Sequence, residues 1–161
     1  MYFYIDGYNL MFSLNGRSEK FPTLRTNLIR LLQRQFARFH LSGTLVFDGS
    51  HRRDEESGLS YPSPLIVAYT SKGESADSYI VHKLEEATHP KQHTVVTNDK
   101  GLHLHVQALG AKVLSNRDFI HWLEKRLEKR REKEVEPKDS KPNLDRLLKI
   151  FEERLKDSED C

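Results

Sequence analysis

Cysteine is almost absent from this sequence: the one thiol, Cys161, is the last of 161 residues. An intramolecular disulfide is excluded, and so is a cysteine-rich zinc module. With no partner motif around it, that thiol reads as solvated rather than nucleophilic. Long apolar runs are missing too. Nothing approaches the roughly 20 residues that a membrane-spanning helix needs. The opening Met1-Tyr2-Phe3-Tyr4-Ile5-Asp6 carries no basic leader and soon meets an acid, so it reads as a strand rather than a secretory signal. The expectation is a soluble cytoplasmic protein with no membrane partner. A dominant charge sign is also missing. Lys and Arg number 26 against 24 for Asp and Glu, and a net charge of +2 does not by itself argue for a polyanionic partner. No Gly-x-x-x-x-Gly-Lys-Ser/Thr run occurs, which disfavours P-loop nucleotide chemistry.

What is present is alternation. The length suits one domain, or one domain with an appendage, able to bury a core without staples. Tyr2 to Ile5 is a short apolar run closed by Asp6-Gly7, read as a strand and a turn. From Thr23 to Phe39 the apolar residues recur in steps of three and four, as on an amphipathic helix. Thr44 to Phe47 is a second strand, again closed by Asp-Gly at Asp48-Gly49, and residues 50 to 63 read as a loop. Leu65 to Tyr69 is a third strand, followed by a turn and a helix from Glu74 to Ala87. His93 to Thr97 is a fourth strand, Gly101 to Leu109 a short helix, and Ala111 to Leu114 a fifth strand. Asn116 then caps a helix through Phe119, Ile120, Leu123 and Leu127. Strands alternating with helices predict an α/β layer fold with a mostly parallel central sheet flanked by helices.

From Glu124 the character changes. Residues 124 to 141 are almost wholly charged and mixed in sign, Pro137 and Pro142 bracket a linker, and Asn143 to Lys156 recovers a helical pattern. The expected organisation is a domain over 1–123 and a charged helical extension over 124–161. In that extension Lys125, Arg126, Lys129, Arg130, Arg131 and Lys133 interleave with Glu124, Glu128 and Glu132. Such i,i+4 pairing describes a solvated helix, with contact to RNA or a ribosomal surface as the alternative.

The acids share one structural address. Asp6 follows the first strand, Asp48 the second and Asp99 the fourth, while Glu74 and Asp77 open the helix after the third. In a parallel α/β sheet the carboxyl ends of the strands line one edge, where ligands bind. Carboxylates gathered there repel one another and shift upward in pKa unless a cation joins them. Oxygen-only clusters suit hard ions such as Mg²⁺, which can activate water and stabilise the leaving oxygen of a phosphodiester. Each acid also has a bland explanation as a turn residue or a helix cap, and Asp-Gly accounts for Asp48 completely. The functional reading rests on the set.

The segments in order carry a resemblance. Ile5-Asp6-Gly7-Tyr8-Asn9-Leu10, Val46-Phe47-Asp48-Gly49, Gly73-Glu74-Ser75-Ala76-Asp77-Ser78-Tyr79-Ile80 and Val96-Thr97-Asn98-Asp99 resemble the successive motifs of the NYN branch of PIN-like ribonucleases. Gly-Glu-Ser-Ala-Asp is similar to the form seen in the bacterial YacP-like NYN proteins. The likeness covers residues 1 to about 123. It implies a PIN-like three-layer fold and a divalent-metal-dependent endoribonuclease using Mg²⁺ or Mn²⁺. It also implies single-stranded mRNA as substrate, a role in bacterial mRNA decay and an association with the ribosome. Carried over by position, Asp6, Asp77 and Asp99 match the metal-binding acids and Glu74 a fourth catalytic acid. Asn9 matches the residue that orients the first motif, Asn98 stands where some relatives carry Ser, and Asp48 supports the site.

Other residues are weighed on their own. Arg52, Arg53, Lys72 and Lys100 lie near the acidic edge and suit phosphate contacts, or equally a solvated surface. Tyr8 and Tyr61 suit stacking on unpaired bases, although a buried structural role fits Tyr8 better. The eight histidines complete no zinc set. Two rival classes remain: a non-catalytic RNA- or ribosome-binding module on the same fold, and a receiver-like phosphoacceptor. A receiver groups two acids after its first strand and places a Lys after its fifth, whereas Ser115-Asn116 stands there. Oligomeric state is not legible.

Overall fold

The computed structural model describes residues 1–15, 21–49, 59–60, 64–134 and 151. Strand β1 (Tyr2–Asp6) leads into helix α1 (Gly7–Asn15), and α2 (Phe21–Arg38) precedes β2 (Ser42–Phe47). A two-residue strand β3 (Leu59–Ser60) precedes β4 (Leu65–Tyr69), followed by α3 (Ala76–Glu86) and a 3₁₀ turn at Pro90–Gln92. Then come β5 (His93–Val96), α4 (Lys100–Ala108), β6 (Lys112–Leu114) and α5 (Asn116–Glu134).

The sheet order is β3-β4-β2-β1-β5-β6. Among the described residues five strands run parallel, and β3 alone is antiparallel, against β4. The chain winds outward from β1 through β2 to β4, then crosses back to place β5 on the other side of β1. The reversal falls at β1, and crevices at such switch points open at the carboxyl ends of the strands.

Alternation along the strands makes three layers, because successive side chains point to opposite faces. Phe3, Ile5, Leu45, Phe47 and Val67 face a core shared with α1, α2 and α5. Tyr4, Val46 and Val95 face a second core closed by Ile80 and Leu84 of α3 and by Leu102 and Val106 of α4. The α/β layer architecture expected from the alternation is the architecture found.

Two local readings change. Asp6-Gly7 is not a free turn: α1 starts at Gly7 itself. Glycine is needed there for close approach, since a β-carbon would sit 2.5 Å from the Phe47 ring and 2.9 Å from the Val46 carbonyl oxygen. At the other end, Ser115 rather than Asn116 caps α5, its Oγ accepting from the Asp118 amide at 3.1 Å. Helix α5 runs unbroken through residues 123 and 124, and both Leu123 and Glu124 are buried. Of the expected helix at 143–156 only Phe151 is described; it is helical and packs into the α1–α2–α5 core. Among the described residues, no helix is long and apolar enough to cross a membrane.

Candidate active site

Four aspartates meet at the carboxyl edge. Asp6 ends β1 and is only 8% exposed. Its carboxyl is pushed up to about 7, first by burial, then by the charges of Asp77, Asp99 and Asp48, against a backbone N–H of Asn9 that pulls it down. Asp77, in the first turn of α3, is likewise raised, first by burial and then by Asp99 and Asp48; a hydrogen bond with the Asp6 side chain opposes the rise. Each of the four thus acts on another of the set, although they come from four separate stretches of chain.

Local structure explains each placement. Ser75 caps α3, accepting from the Ser78 amide at 3.1 Å, which sets Asp77 in the first turn where the helix dipole favours an anion. Asp99 caps α4, accepting from the Leu102 amide at 2.8 Å, and it is exposed to solvent. Asp99 is thus a helix cap, and that role leaves its carboxylate open to solvent at the same edge. Asp48 follows β2, beside Gly49. A β-carbon on Gly49 would overlap the Thr70 carbonyl oxygen, so the Asp-Gly pair there serves tight docking of the β2 and β4 ends. Thr70 completes the junction: its Oγ1 accepts from the Gly49 amide at 2.9 Å and donates to the Glu74 carbonyl at 2.7 Å.

Glu74 stands apart. It precedes the cap of α3 rather than opening the helix, so it and Asp77 do not share a helical face. Its carboxylate lies 3.9 Å from His82 Nδ1.

The structure adds a hub that sequence reasoning missed. Asn116, 2% exposed, donates from Nδ2 to the Asn9 carbonyl (3.2 Å), to Asn9 Oδ1 (2.9 Å) and to Ser13 Oγ (3.0 Å). Asn9 Oδ1 also accepts from the Asn98 amide at 2.8 Å, and Asn98 Oδ1 accepts from the Asn116 amide at 2.9 Å. Three asparagines thereby tie the starts of α1 and α5 to the residue before Asp99. A capping asparagine and a buried hub look alike in sequence; only the polar Ser13 and Asn9 on one turn of α1 hinted at a buried partner.

A cleft of about 370 Å³ opens between α3 and α4, bounded by Asp77, Asp99, Ser78, His82, Glu85 and His105. Lys72 and Lys100 are exposed, Lys100 immediately after Asp99. Arg52, Arg53 and Tyr61 lie outside the described residues. Tyr8 is buried, its ring 5.0 Å from that of Phe47 and its hydroxyl accepting from Arg25 at 3.2 Å. Among the described residues, no three His, Cys, Asp or Glu side chains converge tightly enough to hold an ion unaided.

Comparison with known proteins agrees with this fold. The YacP-like NYN domain family model matches residues 3–159. The chain is similar to the crystal structure of Rae1 (YacP) from Bacillus subtilis: 22% identity, TM-score 0.65, covering 83% of this chain and 80% of that one. A single-substitution mutant of the same protein aligns at 21% identity and TM-score 0.62, covering 98% and 99%. No curated protein matches the sequence.

Proposed function

Since the chain belongs to the YacP-like NYN domain family, a family of PIN-like nucleases, we propose that it is a divalent-metal-dependent endoribonuclease that hydrolyses RNA phosphodiester bonds. One observation carries this reading: Asp6, Asp48, Asp77 and Asp99 act on one another at the switch point, and Asp6 is pushed up to about 7 as a result of burial and those charges.

The donor set fits a hard cation. Mg²⁺ or Mn²⁺ takes oxygen ligands, and Mg²⁺ is content with one or two carboxylates when waters and substrate phosphate complete the shell. That suits a site where, among the described residues, no protein triad closes around an ion. When bound, the cation supplies charge that activates water and stabilises the leaving oxygen. The protein's own part is placement. Asp6 and Asp77 form the inner pair, and Asp99 brings a carboxylate from the other side of the switch point. Asp48 adds negative charge at the same edge. Asn9, Asn98 and Asn116 fix the backbone that aims them. Glu74 acts from outside this group, and the exposed Lys72 and Lys100 meet phosphates at the rim.

Single-stranded mRNA is the substrate in this reading, in bacterial cytoplasmic mRNA decay with the ribosome as its setting, as the likeness of the motifs implies. The test is cleavage of a mixed single-stranded RNA in Mn²⁺ or Mg²⁺, with ribosomes present and absent, by wild type and by Asp77→Asn/Asp99→Asn. Asparagine keeps the α4 cap, so the variant retains its fold. Metal-dependent cutting by wild type alone, leaving 5′-phosphates, is the expected result. RNA or ribosome binding by both proteins with no cutting by either would replace the enzyme with a binding module.

A further inference from the structure

Helix α5 separates charges that its sequence interleaves. Glu124 is buried. Lys125, Arg126, Lys129, Arg130 and Lys133 recur at i, i+1, i+4, i+5 and i+8, and all five line one groove of about 460 Å³ with Phe39 and Trp122. Among the described residues that line it there is no Asp or Glu. Two of the guanidinium groups are already placed. Arg126 lies 4.2 Å over the Trp122 ring, and Arg130 donates to the Arg38 carbonyl at 2.9 Å.

The groove sits at the other end of the molecule from the aspartates. Phe39 follows α2 and precedes β2, at the amino edge of the sheet. Helix α5 starts at the carboxyl edge, where Asn116 bonds Asn9, and travels back; at 1.5 Å per residue, Lys125 to Lys133 lie about 14–26 Å along it. Five like charges around one groove create a field that attracts an extended anion.

We propose that this groove binds the phosphate backbone of a single RNA strand and anchors it apart from the acidic site. A small anion needs one guanidinium fork, whereas a row of cations along a helix matches phosphates repeating along a chain. A positively charged groove that tracks the backbone is the element used for unpaired nucleic acid, and here the Trp122 ring holds Arg126 in place along it. The choice of RNA rests on the nuclease reading, but the test does not depend on cleavage.

Binding of a single-stranded RNA of about thirty nucleotides is measured by fluorescence anisotropy in EDTA across a salt series. Wild type, Lys125→Glu/Lys129→Glu/Lys133→Glu and Asp77→Asn/Asp99→Asn are compared, with circular dichroism to confirm folding. The triple variant is expected to bind at least about tenfold more weakly near 0.1 M salt, and its log–log salt slope to flatten by about 2, since each phosphate contact on a single strand contributes about 0.7. The aspartate variant is expected to bind as wild type does. In the same set, cleavage of a trinucleotide by the triple variant stays at the wild-type level while its KM for the long RNA rises. Equal affinity and equal slope for wild type and the triple variant overturn the proposal, as does wild type failing to bind the RNA at all. If wild type binds without cutting any RNA, and the triple variant loses that binding, the groove stands and the nuclease reading falls.

Discussion

At the carboxyl end of the sheet four aspartates crowd together on a framework of buried backbone, and Asp6 is forced up to about 7. At the amino end five cations line a groove, and Lys125, Lys129, Arg130 and Lys133 among them are exposed. Both ends gather like charges, but they meet the repulsion differently. The acidic end is held by close-packed glycines and a bonded asparagine hub, so the charges cannot move apart, and Asp6 and Asp77 are pushed toward the protonated form instead. The basic end carries its charges on long stems in water, where repulsion is screened within about 8–10 Å. A rigid crowded site selects a compact ion; a loose row suits an extended one. Substitutions in the framework should therefore disturb folding at the first end, whereas exchanging the cations should leave it nearly untouched at the second.

The largest expected effect tests the rigid framework. Gly49→Ala drives a β-carbon into the Thr70 carbonyl, which is backbone and cannot swing aside. A loss of about 3 kcal/mol is expected by urea denaturation. The triple lysine variant, in contrast, is expected to stay within about 0.5 kcal/mol of wild type, the usual range for exposed positions. A Gly49→Ala protein as stable as wild type would remove the distinction between the two ends.

Next comes the asparagine hub. Asn116→Ala removes the two N–H groups that serve the Asn9 carbonyl, Asn9 Oδ1 and Ser13 Oγ. At about 1 kcal/mol for each group, the expected loss is about 2 kcal/mol. Cleavage should fall with it, because Asn98 and Asp99 lose their support. A destabilised protein with undiminished turnover would make the hub purely structural.

The acidic end also predicts a pH dependence. Asp6 is raised from 3.8 to about 7 in the fold. Between those values the folded state holds a proton that the unfolded state has released. Metal-free stability therefore falls as pH rises from about 4 through about 7, and the cost is fully present above that. The raised Asp77 acts in the same direction. Asp6→Asn should stabilise the metal-free protein on the order of 1–2 kcal/mol at pH 8 and do little at pH 4. Thermal melts in EDTA at the two pH values check this, and a cation added at pH 8 should raise the wild-type melting temperature more than that of the variant. Stability that rises with pH in EDTA would contradict the crowding.

These distinctions were unevenly legible in the chain. All five parallel strands stand where apolar, β-branched runs placed them; the inner ones, β1 and β2 above all, are buried on both faces and write a near-continuous hydrophobic signature, while edge strand β6 is only half-buried. Helix α1 was lost to Asp6-Gly7, a dipeptide that favours turns; here the glycine answers a contact with Phe47, made by a strand forty residues away in the chain. Leu10, Met11 and Leu14 have a helical spacing and are buried, a short pattern that is easily passed over after an Asp-Gly pair. The meeting of Asp6, Asp77 and Asp99 followed from topology alone. The exclusion of Glu74 from the helix did not, since Ser75 as cap and Glu74 as first residue fit the same string. The sorting of charges on α5 is present in the spacing of Lys125, Lys129 and Lys133, but their alternation with Glu124, Glu128 and Glu132 reads equally as a solvated helix.

Glu74 offers the smallest and sharpest test. It is one of the four acids that the motifs single out, yet neither Asp6 nor Asp77 owes its raised pKa to it. Its carboxylate is turned toward His82, at 3.9 Å. An acid outside the inner group can tune the site's charge, but it cannot replace an inner oxygen. Glu74→Gln should therefore lower kcat/KM by about threefold, near 0.7 kcal/mol of barrier. Asp77→Asn should cost about a hundredfold or more, the scale of removing one electrostatic element from the reacting centre. Single-turnover rates under saturating metal separate the two. Equal losses would put Glu74 inside the inner group and would require α3 to extend back to residue 74 when the cation binds.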